Sequence, residues 1–115
     1  MLLGNKSIGS TTVTAKPVKK WTIYLVQHTH TDIGYTKPQT EILMEHLRYV
    51  DYANEYCELT ENYPDDSKYR WCCEASWTVN EYRKNRPQEK IDKLRKYIAK
   101  GQIESTARFL NMAGV

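Results

Sequence analysis

Along "WTIYLVQHTH", residues 21 to 30, apolar side chains fall on both parities. That is the pattern of a strand covered on both faces, so ordered structure is expected to begin near Trp21 with a buried strand. Farther on, Leu43, Leu47, Val50, Ala53 and Cys57 recur at steps of three and four and make one apolar helical stripe. Thr36 or Lys37 caps this predicted helix. Its first turn contains Pro38, where the missing N–H costs nothing, and it lasts to about Thr60. "ENYPDDSK" reads as a turn. "KYRWCCEAS" is a second short strand ending in Glu74, and a helical stretch follows from about Ser76 to Asn85. It breaks and restarts near Pro87, with Ile91, Leu94 and Ile98 as the second buried stripe and Gly101 as the C-terminal stop. "QIESTARFLNM" is the third predicted strand.

Strand, helix, strand, helix, strand implies parallel pairing through right-handed crossovers, an α/β βαβαβ unit. Parallel sheets are normally covered on both faces, and two helical stretches do not suffice for that. The chain therefore reads as the opening of a larger domain. Residues 1–20 are expected to be a flexible lead-in, and residues 21–115 a partial domain that is marginal when isolated and prone to dock onto the remaining structure or to self-associate.

Composition narrows the function classes. Of 115 residues, 40% are hydrophobic and 27% charged, with a net charge of +3 and acids and bases interleaved throughout. No nucleic-acid partner is expected from so small and mixed a charge. No apolar run is long enough to span a bilayer, and "MLLGNKSIGSTTVTAKPVKK" lacks the apolar stretch of a signal peptide, so a cytoplasmic location is the default expectation. Cys57, Cys72 and Cys73 form neither a framework of bridges nor a zinc knuckle. Adjacent strand residues point to opposite faces, so these thiols are expected to be small buried hydrophobes. The nine tyrosines and three tryptophans suit sugar-binding walls and core packing alike.

The candidate chemistry lies at the end of the first strand. Alternation places His28, His30 and, if the backbone stays extended, Asp32 on one face. Imidazoles and a carboxylate converging at a strand's carboxyl end suit zinc and similar divalent ions, and that end is where open α/β sheets and barrels keep their chemistry. Gly34 lets the backbone turn closely beneath a ligand. From spacing alone, a metal and a hydrogen-bonded histidine pair capping the strand both fit.

Three enzyme classes compete for this pattern, with polysaccharide deacetylases as a further metal-hydrolase alternative. Metallo-β-lactamase-like hydrolases place a histidine where Ile33 stands, and histidinol-phosphatase-type phosphoesterases carry a serine-aspartate-glycine signal not found here. Polysaccharide deacetylases use two neighbouring aspartates, also not found. "HTHTDIGYT" resembles the first strand-end motif of family 38 glycoside hydrolases, the α-mannosidases, which typically read His-Ser-His-Asn-Asp-Pro-Gly-Trp. "KYRWCCEASW" and "KGQIESTARFLNM" resemble that family's second and third strands, so the likeness covers roughly residues 21 to 115.

The resemblance implies the first three strands of a (β/α)7 barrel holding one zinc ion, and an enzyme that hydrolyses α-mannosides with retention. It implies His30 and Asp32 as zinc ligands, with His28 beside the site and not a ligand. Tyr35 stands where the family has a tryptophan lying against the sugar. Glu74 falls at the end of strand two, placed to hydrogen-bond a ligand or sugar hydroxyl, or else to pair with Arg70, Arg108 or a helix N-terminus. The family's nucleophile follows strand three. Aligning Met112 with the family's methionine puts Gly114 where that carboxylate belongs, and no catalytic carboxylate is identified in this chain. With two of four ligands, the chain alone is expected to hold zinc weakly or not at all and to show no glycosidase turnover. A non-catalytic carbohydrate-binding or interaction remnant is the other reading.

Overall fold

The computed structural model describes residues 2–3, 6–7, 9–107 and 109–110. In chain order the elements are β1 (Leu2–Leu3), β2 (Lys6–Ser7), β3 (Gln27–His28), α1 (Gln39–Leu59), a 3-10 turn (Asp65–Ser67), β4 (Trp71–Cys73), α2 (Ser76–Asn85), α3 (Gln88–Ala99) and β5 (Ile103–Ser105). β1 and β2 pair antiparallel within the lead-in. The remaining strands form a parallel sheet in the order β3-β4-β5, the α/β arrangement that alternating strands and helices require.

Register places Gln27, Trp71 and Ile103 in one row and His28, Cys72 and Glu104 in the next. Neighbouring rows face opposite sides of the sheet. Trp71, Cys73 and Ile103 are buried against the helices, in one core with Leu47, Val50, Ala53 and Cys57 of α1, Tyr82 of α2, and Leu94 and Tyr97 of α3. Each large side chain in this cluster stabilises the fold by roughly 1.5–3 kcal/mol on burial. The opposite row is open: His28 and Glu104 are exposed and Cys72 is half-buried.

The α1 stripe is buried at Leu47, Val50, Ala53 and Cys57, and Leu43 packs partly against it. Its start differs by a residue or two from expectation. Pro38, not Thr36 or Lys37, is the cap, and the Pro38 carbonyl accepts the N–H groups of Glu41 (3.0 Å) and Ile42 (3.1 Å). The fixed ring torsion of proline, φ −58° here, suits a residue whose carbonyl begins the helical ladder. At the other end the Thr60 hydroxyl donates to the Tyr56 carbonyl (2.8 Å) and accepts the Tyr69 N–H (3.0 Å), tying the helix exit to the approach to β4.

α3 ends as its sequence predicts. Gly101 has φ +69°, its N–H reaches the Ile98 carbonyl (3.0 Å), and the Gln102 N–H reaches that of Tyr97 (3.0 Å), the paired bonds of a Schellman stop. The second stripe needs correction. Ile91 and Leu94 are buried, but Ile98 is 40% exposed and Tyr97 is fully buried in its place. Ile91, Leu94 and Tyr97 recur at three-residue steps, and Tyr97 packs in the same core as Leu94 and Ile103 of β5.

The first strand is the larger departure. Only Gln27–His28 pairs, and Trp21, Ile23, Tyr24, Leu25 and Val26 are all exposed. A strand needs a neighbour along its edges and cover on its faces, and this run stays exposed, with the Lys19 ammonium 4.3 Å from the centre of the Trp21 ring. β5 is likewise shorter than predicted, and Phe109 is exposed. Met112 and Gly114, where the nucleophile segment was expected, lie outside the described residues.

Candidate functional site

The candidate residues stand where three strand ends meet. β3 stops at His28, and residues 29–38 carry the chain to α1. Within that loop Gly34 takes φ +87°, a left-handed conformation that side chains disfavour, and its N–H donates to the Lys37 carbonyl (3.1 Å). This turn follows directly on Asp32 and leaves Tyr35 84% exposed.

His30 points into the open with 72% of its side chain exposed, and its Nδ1 lies 3.7 Å from Oε2 of Glu74. The same oxygen accepts the Thr31 N–H at 2.6 Å. Thr31 itself is buried, so that His30 stands on the open side and Thr31 beneath. Asp32 is half-buried. His28 is exposed, and its Nδ1 lies 3.2 Å from the carbonyl of Thr29.

Glu74 is itself held. Its backbone carbonyl accepts the Thr106 hydroxyl, and the Thr106 N–H donates to the Cys73 carbonyl (3.1 Å). Past β5 the chain returns to the start of α2, where the Trp77 N–H meets the Phe109 carbonyl (3.0 Å). Of the alternative partners considered for Glu74, Arg70 turns instead to Asp65 (3.1 Å), and Arg108 lies outside the described residues. Neither Thr31 nor Thr106 was singled out from sequence. A backbone donor leaves no side-chain signal, and a threonine beyond a strand is ordinary.

The nearby thiol is not a competing nucleophile. Burial, then the carboxylates of Glu104 and Glu74, push the Cys72 thiol up from its usual range, which keeps it protonated at neutral pH. A groove of mixed character, lined by Leu25, Val26, Trp71, Arg70, Gln102 and Glu104 among others, opens beside the strands and holds none of the candidate residues.

The donor chemistry fits a zinc ion in part. An imidazole and a carboxylate lie on one loop, and a second carboxylate stands 3.7 Å from the imidazole. Among the described residues no three His, Cys, Asp or Glu side chains converge as a complete metal-binding group.

No curated protein and no solved structure matches the chain. Residues 20–114 match the family model described as Glycosyl hydrolases family 38 N-terminal domain.

Proposed function

Given that this chain belongs to glycoside hydrolase family 38, we propose that it forms the zinc-binding opening of a catalytic domain that hydrolyses α-mannosides with retention. The supporting observation is the gathering of His30, the Asp32 loop and Glu74 at the carboxyl ends of parallel strands, where α/β folds build their sites. His30 and Asp32 would hold the ion. Bound there, zinc supplies a Lewis acid and a template for sugar hydroxyls. The exposed ring of Tyr35 is free to lie against a pyranose face, and a sugar hydroxyl within reach of Glu74 would donate to its carboxylate.

The chemistry of retention requires two carboxyl groups flanking the glycosidic bond, one as nucleophile and one as proton donor. In this reading neither comes from the described residues, and the barrel is completed by structure other than this chain. The chain by itself is then inactive, and its carbohydrate contact is confined to one wall of the site.

Hydrolysis of an aryl α-mannoside by the complete catalytic domain tests the proposal. Asp32→Ala there is expected to abolish nearly all turnover. Full activity in that variant would overturn it.

A further inference from the structure

We propose that Glu74 is a positioning residue. Its carboxylate fixes the loop that carries His30 and Asp32 before any ligand arrives. The role deepens the zinc-site reading above and rests on it only for its consequence, not for its geometry.

Three observations carry it. First, Oε2 of Glu74 accepts the Thr31 N–H at 2.6 Å, at the short end of the range and charge-assisted, and such bonds are about twice as strong as neutral ones. Thr31 sits between the two candidate ligands, so fixing its amide fixes the backbone on both sides. Second, the same oxygen lies 3.7 Å from Nδ1 of His30, and so bears on the ring as well as on the main chain. Third, Glu74 is braced from behind, because the Thr106 hydroxyl holds its carbonyl and the Thr106 amide holds that of Cys73. Glu74 thus joins the ends of three strands, through its carboxylate to the segment after β3 and through its backbone carbonyl to Thr106 after β5.

Placement of this kind matters because a metal or substrate group must be met by side chains already in position, and supporting hydrogen bonds supply that. A carboxylate paired only with a surface arginine would do nothing of the sort, and Arg70 is engaged elsewhere.

Amide hydrogen exchange on the full 115-residue chain, wild type against Glu74→Ala and Glu74→Gln, reads the proposal directly. In Glu74→Ala the Thr31 amide is expected to exchange about 10–100-fold faster, the equivalent of one charge-assisted hydrogen bond. The core amides of Val50 and Leu94 should keep their wild-type rates. Glu74→Gln retains an oxygen acceptor at the same reach and should restore most of the protection. Unchanged Thr31 exchange in Glu74→Ala would overturn the proposal. So would acceleration that merely follows the core amides in both variants. Zinc titration of the same samples separates the two readings. Zinc binding that an added Asp32→Ala leaves undiminished, while Thr31 responds to Glu74→Ala, would sink the metal assignment and leave the positioning role standing.

Discussion

Arg86 directs two nitrogens at one oxygen of Asp51, with Nε at 3.0 Å and Nη2 at 2.8 Å. The other oxygen of Asp51 accepts from the Tyr82 hydroxyl and from the Lys90 ammonium, each at 2.8 Å. A single carboxylate on α1 therefore fastens the corner where α2 gives way to α3, and Asn54 adds a bond to the Tyr82 hydroxyl at 3.2 Å. With the Asp51 and Arg86 side chains only 12% and 19% exposed, little water remains to replace these partners. Asp51→Ala strands Arg86 and the Tyr82 hydroxyl. It is expected to cost about 2–4 kcal/mol, near the lower end for breaking a buried pair. The urea midpoint should fall with an unchanged slope.

Acid should destabilise the fold in two stages. Burial between Trp77, Tyr49 and Thr78 holds the His46 imidazole below its ordinary value of 6.5, so the unfolded chain binds the proton first. Its contribution is complete above about pH 6.5 and is lost as pH falls through the lowered folded value. The second stage involves carboxylates. Burial alone would raise Asp51, but hydrogen bonds from Lys90, Tyr82 and Arg86 outweigh it and hold the group below 3.8. Glu61, bonded to Lys100 and Lys96 at the surface, is lowered to about 2. Both contribute above their unfolded values and lose that contribution as pH drops through the folded ones. Thermal midpoints measured from pH 8 downward should decline first below about pH 6.5 and again below about pH 4.5. His46→Phe should remove the first decline alone, and its persistence in that variant would contradict the assignment.

Thiol chemistry should distinguish the cysteines by face. Cys57 and Cys73 are fully buried, and burial pushes both up to about 11. Cys72 is half-buried on the open side of the sheet. A thiol reagent at neutral pH is expected to label Cys72 first and slowly, and the other two only on unfolding. Rapid labelling of Cys73 would show that the helices do not seal that face.

The exposed run Trp21, Ile23, Tyr24, Leu25 and Val26 predicts association of the isolated chain. Sedimentation should show concentration-dependent oligomers, and Leu25→Lys with Val26→Lys should shift the chain toward monomer. A strictly monomeric wild-type chain would contradict this.

The helices were legible in the sequence for a local reason. The stripe of α1 and the glycine stop of α3 depend on residues three to five apart, and a one-dimensional pattern records such neighbours. The exchange of Ile98 for Tyr97 shows the limit: periodicity marks a face only to within one residue, and the shape of the sheet chooses between candidates. Trp21–Val26 shows another. An apolar run on both parities states what a strand needs, not whether its cover is supplied. The parity argument placed His28 and His30 on one face, and both are exposed, but that this face is open was not legible from a run that reads as covered on both sides. The ties that organise the site and the core were not legible. Thr31 to Glu74 spans 43 residues and Arg86 to Asp51 spans 35, and one of the two uses a backbone donor that any residue would provide.

Zinc binding by the chain and three of its variants tests the central claim most directly, that His30 and Asp32 are metal ligands at the strand ends. Measured by competition with a chromophoric chelator, the wild type should bind one ion weakly, having two of the four donors a tetrahedral site needs. His30→Ala and Asp32→Ala should each abolish that binding. His28→Ala should retain it within the roughly 10–100-fold that loss of a supporting contact costs. Undiminished zinc binding in both the His30 and Asp32 variants would contradict the account.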